Sequence, residues 1–439
     1  MGKPVFVWAG LHSYFCQNRN VLKNLFLFAV LLCLYVSCNT SSGKGKPEDD
    51  SLQYYPPTPG KLDKEDFRSY YRQLSSFFDT GLLKSGFNGG ILIAKDGNII
   101  YEKYQGKVDL RKNDSITSNT SFHIASTSKT FTAIAILRLI QENQLSLNDT
   151  ITKFFSGFPY ADITVKLLLS HRSGLPNYLY FMSNSNWDKK KYVTNEDVLK
   201  FLINEKPNKS YSPDKRFNYC NTNFVLLALI VERITGKSFP EYMQQKIFNP
   251  LQMANSFVFT YKDTLSATTS FTYNGTFWNN DFLDITYGDK NIYSTPLDLL
   301  KWDQALYTDQ LLNSALLDSA FAPHSFEKPS IHNYGLGWRL QLLPNGKKVV
   351  YHFGKWHGFN ASFARLIDEK ATIIILGNKF NRNIYGAASQ CYDIFGDYMQ
   401  TRQAQKYDSE NPEAVVKETK KETKSTSPAK PKADVKKRR

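Results

Sequence analysis

Ser126-Thr127-Ser128-Lys129 sets a serine and a lysine three residues apart, just inside an apolar run that reads as a helix to about Gln144. On a helix, that spacing puts both side chains on one face. A serine hydroxyl is a weak nucleophile at neutral pH, and an amine one turn away can take its proton if that amine is held deprotonated. Burial or a neighbouring cation can hold it so, whereas a solvated lysine stays protonated. The spacing recurs at Ser41/Lys44, Ser212/Lys215, Ser325/Lys328 and Ser427/Lys430, so context has to separate the five. Ser41 and Ser427 lie in polar low-complexity stretches, and Ser212 and Ser325 in proline-flanked loops. Only Ser126 stands between an extended segment, Thr120 to Ile124, and a long apolar helix. Taken alone, such a serine would equally suit a helix N-cap.

Two further elements follow in order. Tyr219-Cys220-Asn221 is the sole Tyr-x-Asn of the chain, and His352-Phe353-Gly354 the sole His-x-Gly. Ser-x-x-Lys, then Tyr-x-Asn, then a basic residue-x-Gly on a late strand closely resembles the serine β-lactamase and penicillin-binding protein superfamily. The resemblance is strongest to its class C-like branch, which includes esterases and DD-peptidases, and it runs from roughly Asp63 to Arg402. Ile163 to Pro176 (ITVKLLLSHRSGLP), Tyr293 to Leu299 and Tyr334 to Trp338 look like further landmarks of that family.

The resemblance implies roles. Ser126 would be the nucleophile and Lys129 its general base. Tyr219 would relay a proton to the leaving group, which a phenol does best beside cations; Lys129 and His352 are the expected ones. Asn221 would hold Lys129 and a substrate carbonyl. Gly354 would belong to the binding strand, and the Lys355 amide would join that of Ser126 in an oxyanion hole. Trp356, His357 and Phe359 would shape an aromatic wall or simply pack a strand turn. Cys220 replaces the family's usual Ser and is not read as catalytic. Phe353 replaces a Thr or Ser whose hydroxyl commonly binds the carboxylate of penicillins and peptidoglycan stems, which argues against β-lactamase or carboxypeptidase activity. No glutamate after Tyr219 matches the class A deacylating residue, leaving hydrolysis of the acyl-enzyme to Tyr219 and Lys129.

These residues need a scaffold, and the patterning predicts an α/β fold. A helix is expected near Glu65 to Leu82, then a hairpin from Gly90 to Glu102 around Asp96-Gly97. Residues 145–290 read as helix and loop, with periodicity at Asn195 to Ile203 and Phe224 to Ile234. Extended segments are expected at Tyr334 to Leu342, Lys348 to Phe353, Asn360 to Ile367 and Thr372 to Asn378, then a helix from Ile384 to Thr401. Strands at both ends of a helical middle predict a β-lactamase/transpeptidase-like antiparallel sheet flanked by helices, with an inserted all-helical lobe.

The ends differ from the middle. Residues 1–38 carry three cations and no acid, and an apolar run from Leu25 to Val36 ends at Ser37-Cys38. That reads as a signal peptide with a lipobox-like end, too short for an ordinary membrane span. Cys38 would then be lipidated, with an uncleaved anchor or a simple secretory signal as alternatives. Residues 39–62 read as a linker, 63–404 as the hydrolase domain and 405–439 as a disordered Lys-rich tail. Residues 417–439 hold ten Lys and Arg against three acids, so +5 of the net +15 falls on residues 39–416. The domain therefore shows no nucleic-acid footprint, although the tail could meet an anionic envelope polymer. With Cys16, Cys33 and Cys38 spent at the N-terminus, Cys220 and Cys391 make no disulfide framework. The scattered histidines and cysteines predict neither metal nor cofactor. The expectation is a lipid-anchored envelope serine hydrolase, esterase- or peptidase-like, acting on small or cell-wall-derived substrates. The alternatives are a non-catalytic module that recognises cell-wall fragments, or a β-lactamase or DD-peptidase.

Overall fold

The computed structural model describes residues 56–400. Cys38 and the expected signal, most of the linker and the tail at 405–439 lie outside the described residues. Helix α1 (Lys64–Thr80) is capped by Asp63, whose side chain accepts from the Glu65 amide at 2.8 Å. Asp96 and Gly97, both at positive φ, turn β1 (Gly89–Lys95) onto β2 (Asn98–Gln105). After β3 (Phe122–His123), α2 (Ser128–Gln141) is buried on every side from Ser128 to Leu139, as befits a helix apolar all round. The inserted lobe comprises α3 (Val165–Leu169), α4 (Tyr178–Asn184), α5 (Asn195–Glu205), α6 (Asn221–Thr235) and α7 (Phe239–Met243). Then follow β4 (Phe257–Val258), β5 (Ile292–Ser294), α8 (Pro296–Ala305) and α9 (Ser314–Ala320). The chain closes with β6 (His332–Tyr334), β7 (Arg339–Leu342), β8 (Lys348–Trp356), β9 (Phe359–Leu366), β10 (Ala371–Gly377) and α10 (Asn383–Gln390).

The main sheet is antiparallel with strand order β2-β1-β10-β9-β8-β7-β6, so strands from both ends of the chain meet inside it, β1 against β10. Its two faces feed two cores. Ile91, Ile93, Ile373 and Ile375 pack with Leu74 and Phe78 of α1 and Ile384 of α10, while Leu92, Ile374 and Phe363 pack with Phe131 and Ile134 of α2. Burial on both faces is why β1 and β10 read as unbroken apolar runs rather than alternating ones. A smaller sheet, β3-β5-β4, has its first strand directly before the turn that carries Ser126.

Three boundaries differ from expectation. Helix α2 stops at Gln141 rather than Gln144, because Asn143 turns left-handed and the Gln144 amide reaches back to Leu139 O at 2.9 Å. The segment Tyr334 to Leu342 breaks into β6 and β7. Gly337 sits between them at φ 84° where a Cβ would lie 2.3 Å from that of Ala133, so the loop presses onto α2. The final helix stops at Gln390, followed by a 3₁₀ turn, Cys391–Ile394. There the Asp393 carboxylate accepts from the Tyr398 and Gln400 amides at 2.9 and 3.4 Å, offering the backbone a partner other than a helical carbonyl. Among the described residues no helix is long and apolar enough to cross a membrane.

Candidate active site

Ser126 sits in a 3₁₀ turn, Ala125–Thr127, that leads into α2. Ala125 is left-handed at φ 49°, a strained state for a residue with a Cβ. His123 helps hold it: its Nδ1 accepts from the Ala125 amide at 3.0 Å, which leaves Nε2 to donate to Asn291 Oδ1 at 2.8 Å. Burial pushes the His123 pKa down to about 3, consistent with a neutral ring in this role.

Lys129, one turn on, is fully buried. Its Nζ lies 3.1 Å from Ser126 Oγ, 2.8 Å from Asn221 Oδ1 and 2.7 Å from the Asp289 carbonyl oxygen. The Asn221 and Asp289 oxygens thus aim the amine at the serine. Asn221 reaches it as the first residue of α6. Tyr219, just before, places its ring centroid 4.9 Å from Lys129 Nζ. The Tyr219 loop is strapped by His171, left-handed at φ 55°, whose Nδ1 accepts from the Cys220 amide at 3.1 Å and whose ring lies 4.3 Å from that of Tyr219. The ITVKLLLSHRSGLP landmark is therefore the support beneath Tyr219. Burial drives the Cys220 thiol up to about 11, which suits a packed, inert cysteine.

The opposite wall is β8. Its residues alternate: Val350 and Trp356 join the core on the α2 side, while Val349, Tyr351 and Phe353 join the core behind the sheet. His352 is fully buried, its Nε2 3.2 Å from the Tyr334 hydroxyl and its Nδ1 2.8 Å from the Phe353 carbonyl oxygen. Burial, reinforced by the Arg339 charge, holds its imidazole well below the usual range. An uncharged His352 does not supply the cation expected beside Tyr219. Arg339 does, its guanidinium carbon 5.1 Å from the Tyr219 ring centroid. At Gly354 a Cβ would come within 2.1 Å of the Ile124 carbonyl oxygen, so only glycine lets β8 lie this close to the turn that carries Ser126. The Lys355 side chain heads for the Phe380 ring, 5.6 Å away, leaving its main chain as its contribution to the cleft. Phe353 packs tilted against Tyr351 and Tyr385 at centroid distances of 4.9 and 5.1 Å.

Ser126, Lys129, Tyr219, Asn221, His352, Gly354 and Lys355 therefore converge from two helices, the turn and loop that lead into them, and one strand. Residues 76–388 match the family described as Beta-lactamase. The chain belongs to that family. It is 33% identical over 324 residues to Penicillin-binding protein 4* of Bacillus subtilis, covering 70% of this chain and 72% of that one. The octameric penicillin-binding protein homologue from Pyrococcus abyssi superposes with a TM-score of 0.64 at 25% identity, over 74% and 77% of the two chains. The D-amino acid amidase from Ochrobactrum anthropi SV3 shares the fold at a TM-score of 0.62 and 22% identity, over 76% and 99%.

Sequence reasoning missed four groups in this β-lactamase-family cleft. Arg339 stands next to the Tyr334 to Trp338 landmark, yet nothing in a lone arginine on a strand marks it. His123 could have been suspected three residues before Ser126. Asp289 and Lys290 fall in an irregular loop with no pattern. Lys290 is buried, donates to the Tyr178 hydroxyl at 2.6 Å and lies 4.6 Å from the Trp356 ring centroid. Burial lowers its ammonium pKa, with Asp289 opposing.

Trp356, His357 and Phe359 line a cavity beside this loop, together with His123, Asp284 and Trp278. Among the described residues, Asp281, Asp284 and His357 come close enough together to share a metal ion. Asp284 Oδ1 already accepts from Trp356 Nε1 at 2.7 Å and is 2.8 Å from His357 Nε2, and its Oδ2 accepts from the Asp281 amide at 2.6 Å. The carboxylate thus orients the turn after β8.

Proposed function

We propose that this protein is a serine hydrolase that opens an ester or amide through an acyl-enzyme on Ser126. The observation that carries the reading is the position of Lys129 Nζ, hydrogen-bonded at once to Ser126 Oγ, Asn221 Oδ1 and the Asp289 carbonyl oxygen. Neutral Lys129 takes the Ser126 proton as Oγ bonds to the substrate carbonyl carbon. The oxyanion forms against the Ser126 and Lys355 amides, each such donor being worth about 10²- to 10³-fold in rate. As the intermediate collapses, the proton passes through Tyr219 to the departing oxygen or nitrogen, leaving acyl-Ser126. Water then attacks, gives its proton to the Tyr219/Lys129 pair, and the acid leaves with Ser126 restored. Asn221 holds Lys129 and the substrate carbonyl, and neutral His352 shapes the β8 wall.

A second observation favours substrates that carry a carboxylate on the leaving-group side. Arg339 places a cation against Tyr219, while Phe353, turned behind the sheet, offers the cleft no hydroxyl. That supports a DD-peptidase-like or penicillin-acylated variant of the same chemistry, in keeping with the similarity to a penicillin-binding protein. We further place the enzyme at the cell envelope through lipid on Cys38, a reading supported by the Leu25 to Val36 run alone; Cys38→Ala should move it from the membrane fraction to the soluble one.

Intact-mass analysis after exposure to a fluorophosphonate, a penicillin and a short-chain aryl ester tests the chemistry. Wild type should gain the mass of one adduct and Ser126→Ala none. Labelling that persists in Ser126→Ala, or ester turnover by it at the wild-type rate, overturns the assignment.

A further inference from the structure

Behind β8, Tyr385 of α10 places its hydroxyl 2.8 Å from the Gly354 carbonyl oxygen, to which it donates. The same hydroxyl accepts from Asn360 Nδ2 at 2.7 Å, and Asn360 Oδ1 in turn accepts from the Asn381 amide at 2.8 Å. With one donor and one acceptor fixed, the hydroxyl has a single orientation. Gly354 C=O and Lys355 N–H are the two ends of one peptide group. A trans peptide points them in opposite directions, and in an antiparallel ladder successive residues direct their backbone groups to alternate sides of the strand. A hydroxyl gripping the carbonyl from behind therefore aims the amide at the cleft that holds Ser126.

We infer that Tyr385, held by Asn360, is a positioning residue for the oxyanion-binding peptide Gly354–Lys355. The inference rests on the acyl-enzyme reading of Ser126 and deepens it. It also accounts for Phe353, the residue that departs from the family pattern. Its ring packs 5.1 Å from that of Tyr385 on the far face of the sheet, so a side chain that cannot bind a carboxylate braces the residue that sets the oxyanion donor. Gly354 lets the strand approach the nucleophile turn, and Tyr385 fixes its rotation about its own axis. Polarisation adds to the aim: a carbonyl that accepts a hydrogen bond makes the amide across the same peptide a better donor.

Tyr385→Phe keeps the ring and removes only the hydroxyl. For hydrolysis of 4-nitrophenyl acetate we expect kcat to fall about tenfold with KM nearly unchanged, because an oxyanion donor acts in the transition state. Affinity for 3-aminophenylboronic acid, whose tetrahedral adduct on serine carries the negative charge, should fall by a similar factor. A merely structural hydroxyl would lower the melting temperature and leave both ratios alone. Asn360→Ala releases the hydroxyl without touching the ring. It should lower kcat and boronate affinity together by about threefold, which keeps the inference testable if Tyr385→Phe folds poorly. Wild-type kcat and boronate affinity in a folded Tyr385→Phe or Asn360→Ala protein overturn the inference while the acyl-enzyme reading stands. A wild-type protein that neither turns over the ester nor binds the boronate overturns both.

Discussion

The two walls of the cleft contribute in different currencies. The helical wall gives side chains: Ser126 and Lys129 from the start of α2, Asn221 from the start of α6, Tyr219 from the loop before it. The sheet wall gives mainly backbone, through the Gly354–Lys355 peptide of β8, while the side chains of Phe353 and Lys355 turn elsewhere. Helix starts suit the first task because their exposed end groups and one-turn spacing bring polar atoms together inside an apolar shell. A strand suits the second because its amides come at fixed spacing and direction.

The contrast should break first on the helical wall. Lys129→Met, which keeps the length of the side chain but removes the amine, should cost on the order of 10³-fold or more in kcat, as expected for a lost general base. Residual turnover within tenfold of wild type would place the base elsewhere. Gly354→Ala comes next. Its Cβ would sit 2.1 Å from a backbone oxygen, so β8 or the Ser126 turn must shift. The loss should be about 10²-fold in kcat, with little change when Lys355 itself is replaced by Met, whose side chain lies outside the cleft. If Lys355→Met proves as damaging as Gly354→Ala, the sheet wall acts through side chains after all.

Phe353→Thr sharpens the comparison further. Because the ring packs behind the sheet, the new hydroxyl would replace core contacts, and stability should drop by about 1 to 3 kcal/mol without a gain in acylation by penicillins relative to aryl esters. A selective gain for penicillins would show that position 353 can be turned into the cleft. The mildest effect concerns pH. Burial holds His123 at about 3, and His171 and His352 well below their usual range. The unfolded chain titrates them near 6.5, so it takes up protons that the native state refuses. Stability is full above about pH 6.5 and falls as pH drops through and below that value, toward about 3 in the case of His123. Urea midpoints measured at pH 7.5, 6.5 and 5.5 should fall slightly at the first step and more at the second; a flat series would show that these rings protonate inside the fold.

The proposed nucleophile and base were legible because Ser126 and Lys129 are local: a spacing of three residues across one turn needs no knowledge of the rest of the chain. The central strands were legible too, since burial on both sheet faces leaves an unbroken apolar run in the sequence. Tyr219, Asn221 and His352 could be found only through their order along the chain, because each is ordinary by itself. The Phe353 position was seen, but the face it occupies was not: that depends on the register of β8 with β9 and on α10 folding back behind them. Arg339, His123, Asp289 and Tyr385 were hidden for the same reason. Each depends on a partner far off in sequence, and a long-range contact leaves no periodicity, no cap and no composition to read. By itself the sequence determined the strongly periodic helices, the strand cores and the chemistry of one turn. The tertiary structure decided which cation faces Tyr219, which backbone carbonyl completes the Lys129 cradle and what stands behind the oxyanion peptide, since these depend on where chain segments meet.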